Sequence, residues 1–326
     1  MRCLSALLLA ALVAIAVPTT THAADSPAKI KVLIIDGQNN HNWQQTTPVL
    51  KKLLEDSGRF TVDVATSPPR ANIPAKPKEA TPEQEKAYKE QVAKIQADYK
   101  AAMEKFRPKL EDYQVVVSNY NGDSWSEALN ADLDSLLKSG KIGYVVVHAA
   151  NNAFTGWKEY NLMIGMGWRD AKFGKRYKVD DAGKEVVVDA GQDQGSGHRY
   201  TGPFTVTVRD GEHPITKGMP KEWLHVRDEL YDNMRGPVEN VHMLATALSD
   251  KAKGGTGAHE PMIWTVSYGN GRVFHTPMGH DANAMRCYGF AGTITRGTEW
   301  AATGKVTLPL PKEFPTAEKL SPIPEK

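Results

Sequence analysis

Lys141-Ile-Gly-Tyr-Val-Val-Val-His148-Ala-Ala-Asn151-Asn152-Ala-Phe154-Thr-Gly-Trp157 is the stretch from which the fold of this chain is read. Residues 142–147 form a short apolar run rich in β-branched side chains and introduced by Ser139-Gly140. That is the pattern of a parallel strand buried on both faces. The run ends on a histidine and gives way to small and polar residues. In an open α/β sheet, ligands sit just beyond the carboxyl ends of the strands. His148 therefore either does chemistry there or merely hydrogen-bonds a neighbouring loop, and the remaining strands bear on the choice.

Upstream, residues 30–35 (Ile-Lys-Val-Leu-Ile-Ile) repeat the pattern and run into Asp36-Gly37-Gln38-Asn39-Asn40-His41-Asn42-Trp43. Thr47 followed by Pro48 predicts a helix start. Val49, Leu50, Leu53 and Leu54 would form its apolar face, and Ser57-Gly58 its end. A strand over residues 60–65 completes a βαβ unit. The first loop lacks G-x-G-x-x-G, so no dinucleotide site is expected. A third strand over 113–118 ends in Ser118-Asn119-Tyr120-Asn121, and a helix over 131–138 leads back to the opening stretch. Three of these first four strands thus end in polar residues that a doubly wound sheet would gather on one edge.

Between the second and third strands, Thr81-Pro82 opens a segment with Tyr88, Val92, Ile95, Tyr99, Met103 and Phe106 at helical spacing. We read residues 81–106 as an exposed helical insertion with a solvated charged face. Downstream, residues 165–202 are rich in Gly, Asp and Lys, lack periodicity, and read as a long loop carrying His198. Residues 204–208 suggest a strand, and Trp223-Leu-His225-Val-Arg-Asp228-Glu229-Leu-Tyr231 sets two acids among apolar residues. Residues 261–267 and 272–276, joined by Tyr268-Gly-Asn-Gly271, read as a hairpin. Its second arm runs into Pro277-Met-Gly279-His280-Asp281; a helix over 291–302 and a Pro-rich tail over 303–326 follow. The expected fold is α/β: a doubly wound, mostly parallel sheet flanked by helices, with an antiparallel hairpin toward the C-terminus.

Met1-Arg2, the apolar run over 4–17, Pro18 and Thr21-His22-Ala23 have the form of a signal peptide cleaved after Ala23. The run is too short for a stable anchor, and Cys3 precedes it, unlike the cysteine of a lipoprotein. The expected location is periplasmic or secreted. No later segment reaches membrane-spanning length. With 40 Lys+Arg against 38 Asp+Glu, charge makes no case for nucleic acid or an anionic membrane. Cleavage would leave Cys287 alone, without a disulfide partner.

No serine lies in a G-x-S-x-G elbow, which weakens covalent acyl chemistry. Neutral histidines beside Asp or Glu suit acid–base catalysis near neutral pH. We assign His148, His280, Asp281 and Glu229 as catalytic, with His148 as base or metal ligand. Asn39, His41, Asn119, Asn121, Asn151, Trp157 and His198 are assigned to substrate binding. His213, His242 and His259 read as histidines without chemistry. No H-x-x-x-H or H-E-x-x-H spacing occurs, and only Asp281 adjoins one of the site histidines as a supporting carboxylate. No cofactor is therefore expected, with a divalent metal as the alternative.

His148-Ala-Ala, Ala153-Phe154 and Trp157, then Glu212-His213-Pro214-Ile-Thr216-Lys-Gly218-Met-Pro220, Asp228-Glu229-Leu-Tyr231, Tyr268-Gly-Asn-Gly-Arg272 and Gly279-His280-Asp281 together resemble the ThuA-like (trehalose-utilisation) family. Arg296-Gly-Thr-Glu299-Trp300 resembles a secreted bacterial branch of it. The resemblance spans residues 29–302, with 81–106 as an insertion. It implies a flavodoxin-like sheet related to class I glutamine amidotransferases, and a role in carbohydrate metabolism. In such amidotransferases a nucleophilic cysteine follows the strand where this chain has His148, so glutaminase activity is not expected. The function expected is an enzyme acting on a disaccharide or glycoside derivative, most plausibly a keto-sugar, by elimination, hydration or isomerisation. A non-catalytic periplasmic sugar-binding protein is the alternative.

Overall fold

A computed structural model of the chain describes residues 28–180 and 182–324; the leader read at 1–23 lies outside them. β1 (Ile30–Asp36) is buried except at Lys31. It leads into α1 (Trp43–Asp56) and β2 (Phe60–Thr66), which pairs parallel to β1 with Ile30 opposite Phe60. α1 starts earlier than Thr47-Pro48 suggests, because the Asn42 side chain accepts from Gln45 N and caps the helix first; Pro48 is then inside it. β3 (Val115–Ser118), α3 (Glu127–Lys138) and β4 (Gly143–Val147) follow. β3 lies on the other side of β1 from β2, and β4 beyond it, all parallel. The order 2-1-3-4 places a topological switch point between β1 and β3, where an open α/β sheet forms its crevice.

After α4 (Lys158–Ile164), residues 176–188 carry two short strands, β5 (Arg176–Val179) and β6 (Glu185–Val188), where the sequence suggested only loop. β7 (Gly197–Val208), β8 (Glu222–Asp232), β9 (Val241–Leu248) and β10 (His259–Tyr268) are longer, and β11 (Gly271–Thr276) closes the expected hairpin. β11 pairs parallel with β4 and antiparallel with β10, so the sheet reads β2-β1-β3-β4-β11-β10-β9-β7-β8. Its parallel centre is as expected, and the antiparallel extension is larger than a single hairpin. In that order β8 stands five places from β4. Yet its Tyr231 hydroxyl reaches His148 and its Asp228 reaches Gly279. The extension therefore curls back over the carboxyl ends of the parallel strands.

Alternation along β1 sends Ile30, Val32 and Ile34 into one core and Leu33 and Ile35 into the other. Leu50 and Leu54 of α1, with Phe290 and Ile294 of α6 (Tyr288–Thr303), cover the first face. Leu129, Leu133 and Leu137 of α3 and Met163 and Ile164 of α4 cover the second. Each fully buried Leu or Ile contributes roughly 1.5–3 kcal/mol of transfer free energy. α2 (Pro82–Lys105) carries a capping box between Thr81 and Gln84, and buries only Met103. It docks through that end, where Tyr99 Oη donates to Asp123 at 2.6 Å and receives Gln38 Nε2 at 3.0 Å. The Pro-rich segment after α6 does not hang free. Leu308, Leu310 and Phe314 pack on the first core.

Candidate functional site

Four elements converge at the carboxyl edge. His41 lies in the loop after β1, His148 directly after β4, and His280 in the turn after β11, before the short α5 (Ala282–Met285). Glu229 comes from within β8. One ligand atom from each of these side chains lies within 4.8 Å of all the others. Glu229 Oε2 is 3.1 Å from His280 Nδ1, 3.5 Å from His148 Nε2 and 3.9 Å from His41 Nε2. Glu229 Oε1 is 3.6 Å from His198 Nε2, whose side chain is 42 % exposed and forms the solvent side of the cluster.

His148 holds its place through a left-handed backbone, φ +46°, rare for a non-glycine residue. Its ring is buried, and Nδ1 lies 2.6 Å from the Pro277 carbonyl oxygen. A carbonyl only accepts, so Nδ1 carries the proton and Nε2 presents a lone pair. The Tyr231 hydroxyl donates to that Nε2 at 3.1 Å. Burial, with Glu229 and Asp228 nearby, raises the Tyr231 pKa well above its ordinary value, so the hydroxyl keeps its proton. His41 is steadied by Asn39, whose Oδ1 lies 3.3 Å from Nδ1 and 3.0 Å from the His41 backbone N. Burial and the adjacent His148 and His280 rings pull the His41 pKa down to about 4.

Burial alone would push the Glu229 carboxyl up, but His148 and His280 outweigh it and hold the acid well below the carboxylate range. The same carboxylate raises His280. Glu229 and Tyr231 are two apart on one strand, hence on one face, and both meet His148. Asp228 works from the same strand. Its carboxylate accepts from Gly279 N at 2.6 Å, His280 N at 3.0 Å, Glu229 N at 2.8 Å and His225 Nε2 at 2.8 Å. A bulge makes this possible: Gly202 and Phe204 face Asp228 and His225, two steps against three, so His225 and Asp228 share a side.

The structure thus brings together His41, His148, Glu229, His280 and His198. The other residues singled out from sequence do not join the cluster. Asp281 is spent as the cap of α5, accepting from Asn283 N and Ala284 N, and faces the groove beside α1. Asn151 is fully buried beneath the site; its Nδ2 donates to His275 Nε2 at 3.2 Å and its Oδ1 receives Trp168 N. Asn119 ties down the first turn of α1 through Thr46 and Thr47. Asn121 pairs with Asn40, and Asn39 supports His41. Trp157 lines a separate cleft of about 640 Å³ with Asp123 and Phe154, to which no histidine contributes. Tyr231 and Asp228 were not selected from sequence, although both stand in the Asp228-Glu229-Leu-Tyr231 motif.

No curated protein matches the chain. A ThuA-like protein of Parabacteroides merdae is 41% identical, with a TM-score of 0.77 over 90% of this chain and 98% of its own. Another, from Bacteroides uniformis, is 19% identical, covering 86% of this chain and 95% of its own with a TM-score of 0.54, and shows the shared fold. The family model for ThuA, trehalose utilisation, matches residues 31–301, a span that holds all four converging side chains. With that span and the Parabacteroides likeness together, this chain belongs to the ThuA family, and through it to carbohydrate metabolism.

Proposed function

We propose that the chain is an enzyme acting on a disaccharide or glycoside oxidised to a keto-sugar, and that the reaction takes place at the His148–Glu229–His280 cluster. The observation that carries this reading is the convergence of four acid–base side chains from four separate elements on one point at the switch edge of the sheet. A scaffold role would not require them to meet.

A carbonyl acidifies the C–H bond beside it, so elimination, hydration or isomerisation needs one positioned base and one acid. In a 3-keto-glycoside, the base takes the proton from C2, and the bonding pair moves toward the C3 carbonyl as an enolate. Collapse of the enolate forms the C1–C2 double bond and expels the C1 oxygen, which takes a proton from the acid. Without a metal ion, His148 Nε2 is the base, since its lone pair is fixed by the Nδ1–H bond to Pro277. The Tyr231 hydroxyl is the donor for the developing oxyanion. His280, paired with Glu229, returns the proton.

Incubation with 3-keto-trehalose and 3-keto-glucosides, followed by NMR, tests the reading. Turnover that His148→Ala reduces by roughly 10²-fold or more, with ligand binding retained, supports it. No turnover across the panel, with and without divalent metal, refutes it. Ligand-induced thermal stabilisation without chemistry would favour a sugar-binding protein. Export belongs to the same proposal: the protein recovered from expressing cells should begin at Ala24 and be found outside the cytoplasm.

A further inference from the structure

We propose that His41, His148, His280 and Glu229 bind one divalent first-row transition-metal ion. The inference stands on geometry and does not depend on the proposed reaction. Ligands at about 2.0–2.1 Å from a tetrahedral zinc ion lie about 3.3 Å from one another. The separations from Glu229 Oε2 to the three ring nitrogens, 3.1, 3.5 and 3.9 Å, bracket that value. The four ligand atoms lie within 4.8 Å of one another, so the widest pair would close by about 1.5 Å to complete the shell.

Proton placement points the same way. His148 donates from Nδ1 to Pro277 O, and His41 faces Asn39 Oδ1 with its own Nδ1. Both rings then turn the Nε2 lone pair toward a carboxylate oxygen; at His41 acceptor faces acceptor, while at His148 the lone pair is also met by the Tyr231 hydroxyl at 3.1 Å, a bond that an ion would displace. His280 Nδ1 lies 3.1 Å from the same oxygen but out of line for a hydrogen bond, and is a buried ring nitrogen without a hydrogen-bond partner. A single proton relieves only one of these confrontations. A divalent ion at the centre would relieve all three.

Two of the three imidazoles carry the second partner that fixes tautomer and ring plane in such sites. These partners are a backbone carbonyl for His148 and an amide oxygen for His41, while Asp228 anchors the backbone N of His280. Carboxylate neighbours in sequence were the wrong thing to seek. Three imidazoles with one carboxylate suit zinc, manganese, iron, cobalt, nickel or copper, and disfavour magnesium and calcium, which take oxygen ligands. With the ion seated, His148 and His280 are ligands and no longer exchange protons. The chemistry such an ion would supply is polarisation of the sugar carbonyl, and His198, the neighbouring histidine open to solvent, would be left to carry the proton.

The test uses the full mature protein, stripped with chelator and titrated with Co²⁺ and Zn²⁺ by calorimetry and visible absorption. One equivalent should bind with a Kd below about 1 µM, as befits three imidazoles and a carboxylate, and give the Co²⁺ d–d bands of a low-symmetry site. His148→Ala, His280→Ala and Glu229→Gln should each weaken binding by more than the roughly 10–100-fold expected for the supporting Asn39→Ala. His242→Ala, at an exposed position away from the cluster, should leave it unchanged. If the His148 variant does not fold, His41→Ala at the mouth decides. No saturable binding at 100-fold above that Kd, or binding that survives in folded His41→Ala and Glu229→Gln proteins, overturns the proposal. The keto-sugar assay on the same samples separates it from the proposed reaction. Metal bound without turnover sinks the reaction and keeps the site. Turnover by stripped protein that binds no metal does the reverse.

Discussion

Asp228→Asn should be the most damaging single-atom change near the site, although Asp228 is not in the cluster. Its carboxylate is fully buried and serves four donors, with His225 Nε2 and Gly279 N on one oxygen and Glu229 N and His280 N on the other. Asparagine keeps the shape but turns one oxygen into a donor, so two acceptor contacts become donor against donor whichever way the amide faces. At roughly 1.5–3 kcal/mol for each hydrogen bond to a charged group, the loss is about 3–6 kcal/mol. Breaking a buried ion pair from one side gives a similar figure, about 3–5 kcal/mol. At about 2–4 °C per kcal/mol for a large domain, the melting temperature should fall by roughly 6–24 °C. The pH dependence supplies a second signature. Burial pulls His225 down, but the bond to Asp228, with the Cys287 thiol nearby, outweighs this and pushes it up to about 9. A group raised in the folded state contributes stability fully below its unfolded pKa of about 6.5, and loses it as pH rises toward 9. Wild type should therefore weaken over that window in differential scanning calorimetry, and Asp228→Asn should be flatter. A variant melting within 3 °C of wild type, with an unchanged alkaline limb, would refute this account of how β8 holds the His280 turn.

Tyr231→Phe removes the donor to His148 Nε2, and should lower kcat for a keto-sugar by roughly 10²–10³-fold as an oxyanion partner would. Its effect on stability, read by urea titration, should stay near the roughly 1 kcal/mol of one hydrogen bond. His275 makes the acid limb. It is fully buried between Asn151 and the Ile164 carbonyl, and burial drives its pKa down to about 3. The unfolded chain takes up the proton at about 6.5, so stability falls as pH drops below that value, by about 1.4 kcal/mol per unit for one proton. Thermal melts from pH 7 to pH 4.5 should show this loss, and a His275→Gln variant should show less of it. A mutant retaining the full slope would move the cause elsewhere.

The sheet's parallel centre could be read from sequence because each strand is a contiguous apolar run, buried on both faces, where local pattern and tertiary fate coincide. β5 and β6 could not. β6 alternates exposed and half-buried residues over only four positions, and its partner β5 is no longer. Tertiary pairing makes these strands, and periodicity is silent on it. The same division runs through the site. His41, His148 and His280 stand where strands or hairpin arms give way to loops, so a local rule finds them. Asn151 obeys that rule equally well and is nonetheless core, because the left-handed turn at His148 drops the following residues beneath the sheet edge. No sequence signal distinguishes a polar residue aimed outward there from one aimed inward.

Tyr231 and Asp228 fail the rule from the opposite side. They lie inside a strand, and they reach the site only because a bulge shifts the phase of β8 and the antiparallel extension folds back over the parallel strands. Those are long-range events. The proposed metal-ligand set follows the same logic. Spacing motifs such as H-E-x-x-H mark sites built on one helix, where two ligands share a face by local geometry. Here the four donors come from four elements, and the groups that orient the rings are a proline carbonyl and an asparagine amide. A site assembled this way has no local spacing to betray it, so the lack of a motif was never evidence against an ion. The convergence of lone pairs in the fold is evidence for one.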